Sequence, residues 1–137
     1  MPDYKRAYLR EMDKRGIKYS EINDRMVRVV YSGENLSSIK IIVCFDGDGE
    51  HLVQFACMEV ASFKDDKKYA AALLACNQLN ARFRWVKFYL DSDRDIRVEA
   101  DAIVDIDTVG AECCEIVSRM VNIIDEAYTE LMKVKIS

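Results

Sequence analysis

Apolar residues recur along this chain with two different periods, and each change of period marks a boundary between predicted elements. A first helix is predicted over residues 3–15, because apolar side chains return there every three or four positions: Tyr4, Ala7, Tyr8 and Met12. Asp3 is of a type that caps helix starts, and Gly16 is of a type that ends helices. We therefore expect an amphipathic helix that is closed at both ends.

After this helix the apolar period falls to two, which is typical of strands. Strands are predicted over residues 26–31, 39–45 and 52–61, and a short one over 17–22 is the optional member of the set. The sequence DGDG at 46–49 predicts a hairpin loop. Because the connections are too short for parallel crossovers, we expect an antiparallel meander.

The helical period returns after residue 65 and predicts a second helix, which Asp65 or Asp66 opens. Its apolar stripe is predicted to contain five residues: Tyr69, Leu73, Cys76, Asn80 and Phe83. Two alternating runs, at 86–90 and 96–102, then predict two more strands.

The last predicted helix, over residues 109–134, has the most regular apolar stripe. This stripe includes Val117, Met120, Ile124, Tyr128 and Leu131. A helix of that length spans about 39 Å, whereas a typical strand spans about 17–20 Å. Because the sheet cannot easily cover the whole stripe, we expect those five residues to form a candidate interface for self-association.

These elements together predict an α+β fold. It consists of a single antiparallel sheet of five to six strands with helices, in the order α-β-β-β(-β)-α-β-β-α. No internal repeat or linker interrupts the 137 residues, so a single domain over 1–137 is expected.

Composition and charge argue against several classes of protein. The chain has 20 Lys and Arg against 24 Asp and Glu, a net charge of -4, whereas a nucleic-acid partner usually requires a basic face. No apolar run reaches the length of a membrane span, and residues 1–14 are too charged for a secretory signal. We expect a cytoplasmic protein with no nucleic-acid or membrane partner, and five cysteines that are small buried hydrophobes rather than disulfide partners.

Residues with catalytic or metal-binding chemistry are few. His51 is the only histidine, so a two-histidine metal site is excluded and no serine or cysteine has a persuasive histidine partner. Two loops carry carboxylates at alternate positions: Asp46, Asp48 and Glu50 in one, and Asp91, Asp93 and Asp95 in the other. Both lack the glycine and glutamate positions of an EF-hand and are interpreted as hairpin turns. No catalytic residue, cofactor or metal site is predicted.

Asn77 and Asn80 lie in the middle of the second helix, where asparagine costs roughly 0.6 kcal/mol relative to alanine. Their spacing puts them on neighbouring positions of one helix face. A buried amide needs partners, so we interpret the pair as bonding to sheet or loop backbone and locking the helix onto the sheet. Contact with a ligand is the alternative.

The segment Cys76-Asn77-Gln78-Leu79-Asn80 resembles the apolar-Asn-x-Leu-Asn signature of the bacterial YbjN-domain family. A strand of the kind seen at 85–90 (WVKFYL), a second strand and a long closing helix follow in that family as they do here. The resemblance implies a fold similar to that of the class I chaperones of type III secretion, which dimerise and wrap an extended segment of a partner around themselves. It implies no catalytic residues, and Asn77, Leu79 and Asn80 carry over as motif positions alone.

The resulting hypothesis is a non-catalytic protein-interaction domain, a bacterial regulator or chaperone-like adaptor that forms a homodimer and binds a protein partner. Exposed sheet edges and apolar grooves would serve as its docking surfaces. Two alternatives stay open: a dedicated secretion chaperone, and a sensor that binds a small ligand or metal through its acidic loops or cysteines.

Overall fold

The computed structural model describes residues 3–46 and 51–137. The hairpin loop predicted at 46–49 therefore lies, apart from Asp46, outside the described residues. Within the described ranges three α-helices and six strands follow one another: α1 (Tyr4–Arg15), β1 (Ser20–Glu21), β2 (Met26–Tyr31), β3 (Ile39–Phe45), β4 (Leu52–Ser62), α2 (Tyr69–Arg82), β5 (Lys87–Leu90), β6 (Asp95–Ile103) and α3 (Val109–Ile136).

The six strands form one antiparallel sheet in the order β1-β2-β3-β4-β6-β5. This confirms the predicted α+β fold class and its element order. The strand predicted over 17–22 is present as only two residues, Ser20 and Glu21. Both edge strands of the sheet, β1 and β5, are short, with two and four residues.

Local signals in the sequence set the helix ends. The Asp3 side chain accepts a hydrogen bond from the backbone N–H of Arg6 at 3.0 Å, and Gly16 ends α1 with a φ of 73°. Asp65 caps a short 3₁₀ turn, Asp66–Lys68, from which α2 continues. The second helix thus begins three residues later than its capping signal indicates.

One face of the sheet forms the core, because alternate residues of β2, β3, β4 and β6 point to the same side and are buried. Helix α3 packs on β3 and β4 of this face, α1 packs on α3 and reaches the face through the contact of Tyr8 with Phe45, and α2 packs beside them on β5 and α3. Gly110 permits the close crossing of the first and last helices, since a Cβ there would lie 2.6 Å from Glu11 Cβ.

The stripe on α3 is buried along its length, and β4, with 11 residues, is longer than the typical strand assumed in the sequence analysis. Val117, Met120, Ile124 and Leu131 are at most 1% exposed, and Tyr128 is half-buried. The cover comes from α1 and α2 as well as from the sheet. The candidate interface of the sequence analysis therefore lies mainly inside the chain's own core, where a second chain cannot reach it in this conformation.

Candidate functional site

The opposite face of the sheet is covered by none of the described helices, and we call it the open face. Its exposed positions include Arg28, Val30, Lys40, Gln54, Met58 and Ile103. Three of them are large and apolar: Val30 is 50% exposed, Met58 53% and Ile103 78%. Leu52, the cross-strand partner of Ile103, is exposed beside it. Contiguous exposed apolar surface is typical of sites of interaction with other molecules, and Leu52 and Ile103 form one such contiguous pair.

A bulge in β4 shapes one part of the open face. The pairing of β4 with β6 shifts register between Cys57 and Ala61, and Glu59 within the bulge has a φ of 54°. A left-handed φ is strained for a residue other than glycine, and such strain clusters at functional sites. Beside the bulge lies a cleft of about 390 Å³, which we call the bulge cleft; its lining includes Arg28, Leu36, Lys40, Ile42, Met58 and Glu59.

The two halves of the open face differ in how their charges are neutralised. On the β5–β6 side, Glu99 is almost fully buried, accepts a hydrogen bond from Tyr89 Oη at 2.9 Å and pairs with Arg97 Nε at 2.6 Å. Burial and the bond to Glu99 raise the pKa of Tyr89 above its ordinary value, so the phenol remains a donor. On the β2–β3 side, Arg28 and Lys40 form no ion pair with any described residue.

Helix α2 presents a second unusual surface. Its buried residues are Ala72, Ala75, Cys76 and Leu79, whereas Tyr69, Leu73 and Leu74 are exposed. The predicted stripe was therefore wrong for Tyr69, Leu73 and Asn80, which are all exposed. Small alanine side chains let the helix approach β5 and α3 closely, and the larger leucines are left outside. Residues 69–81 include no charged side chain, and we call their exposed side the α2 outer face.

The motif residues of α2 have three different roles. Asn80 donates from Nδ2 to the carbonyl of Phe88 at 3.0 Å and accepts from the Phe88 N–H at 2.7 Å. Its amide thereby pairs with the outer edge of β5 as a neighbouring strand would. Leu79 is a core residue. Asn77 is exposed, and its side chain makes no hydrogen bond to the described part of the chain.

A third feature lies where the segment before β5 meets α3. Trp85 is 61% exposed and has a φ of 69°. The guanidinium of Arg119 lies 4.9 Å from its ring centroid, and Ile116 and Ile123 line a cleft of about 270 Å³ beside it. Sequence reasoning missed this site, because neither the strained backbone nor the stacking can be read from apolar spacing.

The second acidic loop is engaged within the protein. The ligand atoms of Asp91, Asp93 and Asp95 lie within 4.8 Å of one another. However, Asp95 accepts from Ser62 and from Lys64 Nζ, the latter at 3.1 Å, and Asp91 accepts the backbone N–H groups of residues 93 and 95. A cation there would compete with the ammonium of Lys64. The first loop lies, apart from Asp46, outside the described residues.

Most of the thiols occupy buried surroundings that suppress their chemistry, whereas Cys44 is only half-buried, contrary to the expectation that all five are buried. Burial raises the pKa of Cys57 and of Cys76 to about 11, and that of Cys113 further still. The thiolate is the form that attacks substrates and binds metals. At neutral pH these cysteines are therefore protonated core residues, which the sequence analysis expected of their apolar positions.

None of the described helices is both long enough and apolar enough to cross a membrane.

The features of the chain define a class: a small α+β protein with helices on one face of its sheet and an open second face. The family model "Putative bacterial sensory transduction regulator", YbjN, matches residues 10–131. The chain belongs to the YbjN family, as its sequence signature predicted.

Two solved structures share this fold. "YbjN, a putative transcription regulator from E. coli" aligns with a TM-score of 0.58 at 14% identity, over 90% of each chain. A chain of the heterodimeric complex ExoU–SpcU from the type III secretion system of Pseudomonas aeruginosa aligns with a TM-score of 0.54 at 14% identity, over 91% of this chain and 94% of that one. The matched chain is SpcU. A search of curated proteins finds no match.

Proposed function

We propose that this protein is a non-catalytic adaptor that binds a segment of a partner protein on the open face of its sheet. The observation that carries the proposal is the open face itself, where Val30, Met58 and Ile103 are each at least half exposed. Membership of a regulator family and likeness to SpcU, which is found in a heterodimeric complex with ExoU, support a protein partner.

The face offers more to such a partner than the sheet edges do. Edge docking requires a row of free backbone N–H and C=O groups. Strand β1 provides only two residues, and Asn80 occupies both outward backbone groups of Phe88 on β5. We therefore propose that the partner docks on the open face rather than on the sheet edges.

We also propose that two copies associate through the α2 outer face. Because residues 69–81 carry no charge, a second copy meets no like-charge repulsion there. Leu74, which is 58% exposed, lies equally far in sequence from Asp66 and from Arg82. An antiparallel pair centred on Leu74 would bring Asp66 of one copy near Arg82 of the other, where each could exchange its partner within the chain, Arg94 for Asp66 and Glu126 for Arg82.

A cytoplasmic location completes the proposal. All five cysteines are free thiols, which is the state that a reducing compartment maintains.

Affinity capture from the source bacterium, read by quantitative mass spectrometry, tests the partner proposal. The bait is the wild type, Met58→Glu on the open face, or Ile136→Glu at an exposed apolar residue elsewhere on the chain. We expect a defined protein to be retained by the wild type and Ile136→Glu and lost by Met58→Glu. Equal thermal unfolding of the three baits is the folding control. Capture patterns identical for all three baits would rule out the open face as the binding site.

Light scattering over a range of concentrations tests the homodimer. The expected mass is twice the 15.8 kDa of one chain. Leu74→Glu should give a monomer, because the two glutamates it introduces would repel each other at the centre of the interface. Met58→Glu is the matched control and should remain dimeric. A wild type that stays monomeric at every concentration would contradict this part of the proposal.

A further inference from the structure

We infer that the segment bound on the open face is acidic. One of its large apolar residues enters the bulge cleft, and one or two carboxylates of the same segment lie next to that residue. The inference rests on the proposed function and adds the chemistry of the partner to it. It follows from the lining of the cleft, from two cations there that form no ion pair with any described residue, and from the charge of the rest of the chain.

The bulge cleft has apolar side chains in its lining. Among them are Ile42 of β3, Leu36 and the exposed Met58. The volume of about 390 Å³ is ample for a large aliphatic or aromatic side chain together with some backbone. The bulge at Glu59 fixes the wall on the β4 side, because its register shift moves residues 58–60 out of the regular pleat.

Two cations belong to the same lining. Arg28 is the cross-strand partner of Ile42, and Lys40 lies two residues from Ile42 on the same face of β3. Neither forms an ion pair within the described residues, although the chain contains more carboxylates than cations. Glu59 is the one carboxylate in the lining. The cleft is therefore locally positive and has capacity for carboxylates supplied by a partner.

The overall charge distinguishes a short acidic segment from a large polyanion. The chain has a net charge of -4, so a nucleic acid or an anionic membrane would be repelled by the rest of its surface. At an ionic strength of about 0.1 M, charges more than about 10 Å apart are largely screened. A short segment confined to the cleft interacts mainly with Arg28 and Lys40. The cleft can therefore prefer an acidic segment even though the chain as a whole is negatively charged.

Three fluorescein-labelled pools of short peptides test this inference directly. In each pool mixed large apolar residues alternate with a single residue type: Glu in the first, Ser in the second and Lys in the third. Binding is measured by fluorescence anisotropy at low and at physiological ionic strength. Vesicles of anionic phosphatidylglycerol serve as a separate probe.

We expect the glutamate pool to bind tightest and to weaken with salt. The double variant Arg28→Gln/Lys40→Gln should lower its affinity by about fivefold to tenfold, since each exposed ion pair contributes little by itself. The matched control is Arg10→Gln/Lys18→Gln, which removes the same charge from exposed positions on other elements and should change nothing.

Equal binding of the glutamate and serine pools, or no effect of the double variant at the cleft, would overturn the acidic inference. Vesicle binding without peptide binding would overturn it as well, in favour of a lipid surface. If a partner is captured through Met58 while the glutamate pool fails to bind, the proposed function stands and the inference alone is wrong. If the glutamate pool binds but no partner is captured in a way that depends on Met58, the proposed function is wrong, while the preference of the cleft for acidic peptides stands.

Discussion

Asn80 provides the sharpest test of how α2 is attached to the sheet. Its side chain forms two hydrogen bonds with the backbone of Phe88, at 3.0 and 2.7 Å, and Phe88 itself is buried. Replacing Asn80 with alanine removes both bonds and leaves an N–H and a C=O at the edge of β5 without these partners.

The size of the effect follows from two opposing contributions. Each lost hydrogen bond costs about 0.5–1.5 kcal/mol, and a buried group left unsatisfied costs about 1–3 kcal/mol. Alanine recovers about 0.6 kcal/mol of helix propensity. Because both bonds are only part-buried, the cost of the two lost bonds sets the effect. We therefore expect Asn80→Ala to lower the free energy of unfolding by about 0.5–2.5 kcal/mol, which corresponds to a fall of about 2–8 °C in melting temperature.

Urea denaturation of Asn80→Ala and of the matched variant Asn77→Ala measures this difference. Asn77 lies on the same helix, is exposed and makes no side-chain hydrogen bond to the described residues, so Asn77→Ala should be neutral or slightly stabilising. Asn80→Asp adds a second readout, because a carboxylate can accept from the Phe88 N–H but cannot donate to its carbonyl. Asn80→Ala as stable as Asn77→Ala would refute the idea that this amide locks the helix onto the sheet.

Three further predictions concern α3. Backbone N–H groups, first that of Leu36, lower the pKa of Asp125, so its stabilising contribution is complete above the unfolded pKa and is lost as pH falls through the lower folded pKa. Melting temperatures of the wild type and Asp125→Asn should accordingly differ at pH 6 and converge in strong acid; a gap independent of pH would contradict this. Gly33→Ala should be strongly destabilising in urea, since its Cβ would lie 2.1 Å from Asp125 Oδ1, and part of that cost should vanish in an Asp125→Ala background. Ile124→Ala should cost about 2–5 kcal/mol in the same assay, because Ile124 is fully buried, whereas a change in oligomer mass without loss of stability would point to an interface instead.

The order of elements could be predicted from the sequence because it depends on local periodicity. Caps such as Asp3 and Gly16 act within one turn of their own helix, and alternation within a strand reflects one buried face. Residues 26–31 and 39–45 were therefore predicted with the bounds that the structure has.

The orientation of α2 could not be predicted, because it depends on what the helix packs against. Sequence spacing favours the face with the largest apolar side chains, Leu73 and Leu74. The close approach to β5 and α3 instead selects the alanine face around Ala72 and Ala75. The prediction that part of the α3 stripe stays uncovered failed for a similar reason. It compared the length of α3 with that of a strand and left out the cover that the other two helices provide.

The Asn80 contact and the open face are two consequences of one arrangement. A sheet in an isolated protein must protect its edges from pairing with other chains, and short or covered edge strands do this. Here β1 is reduced to two residues, and an asparagine side chain occupies the outward groups of Phe88. With the edges protected and one face buried under α1 and α3, recognition through the sheet must use side chains on the open face. A partner would then be selected by the chemistry of residues such as Met58 and Arg28 rather than by backbone pairing, which accepts almost any extended sequence.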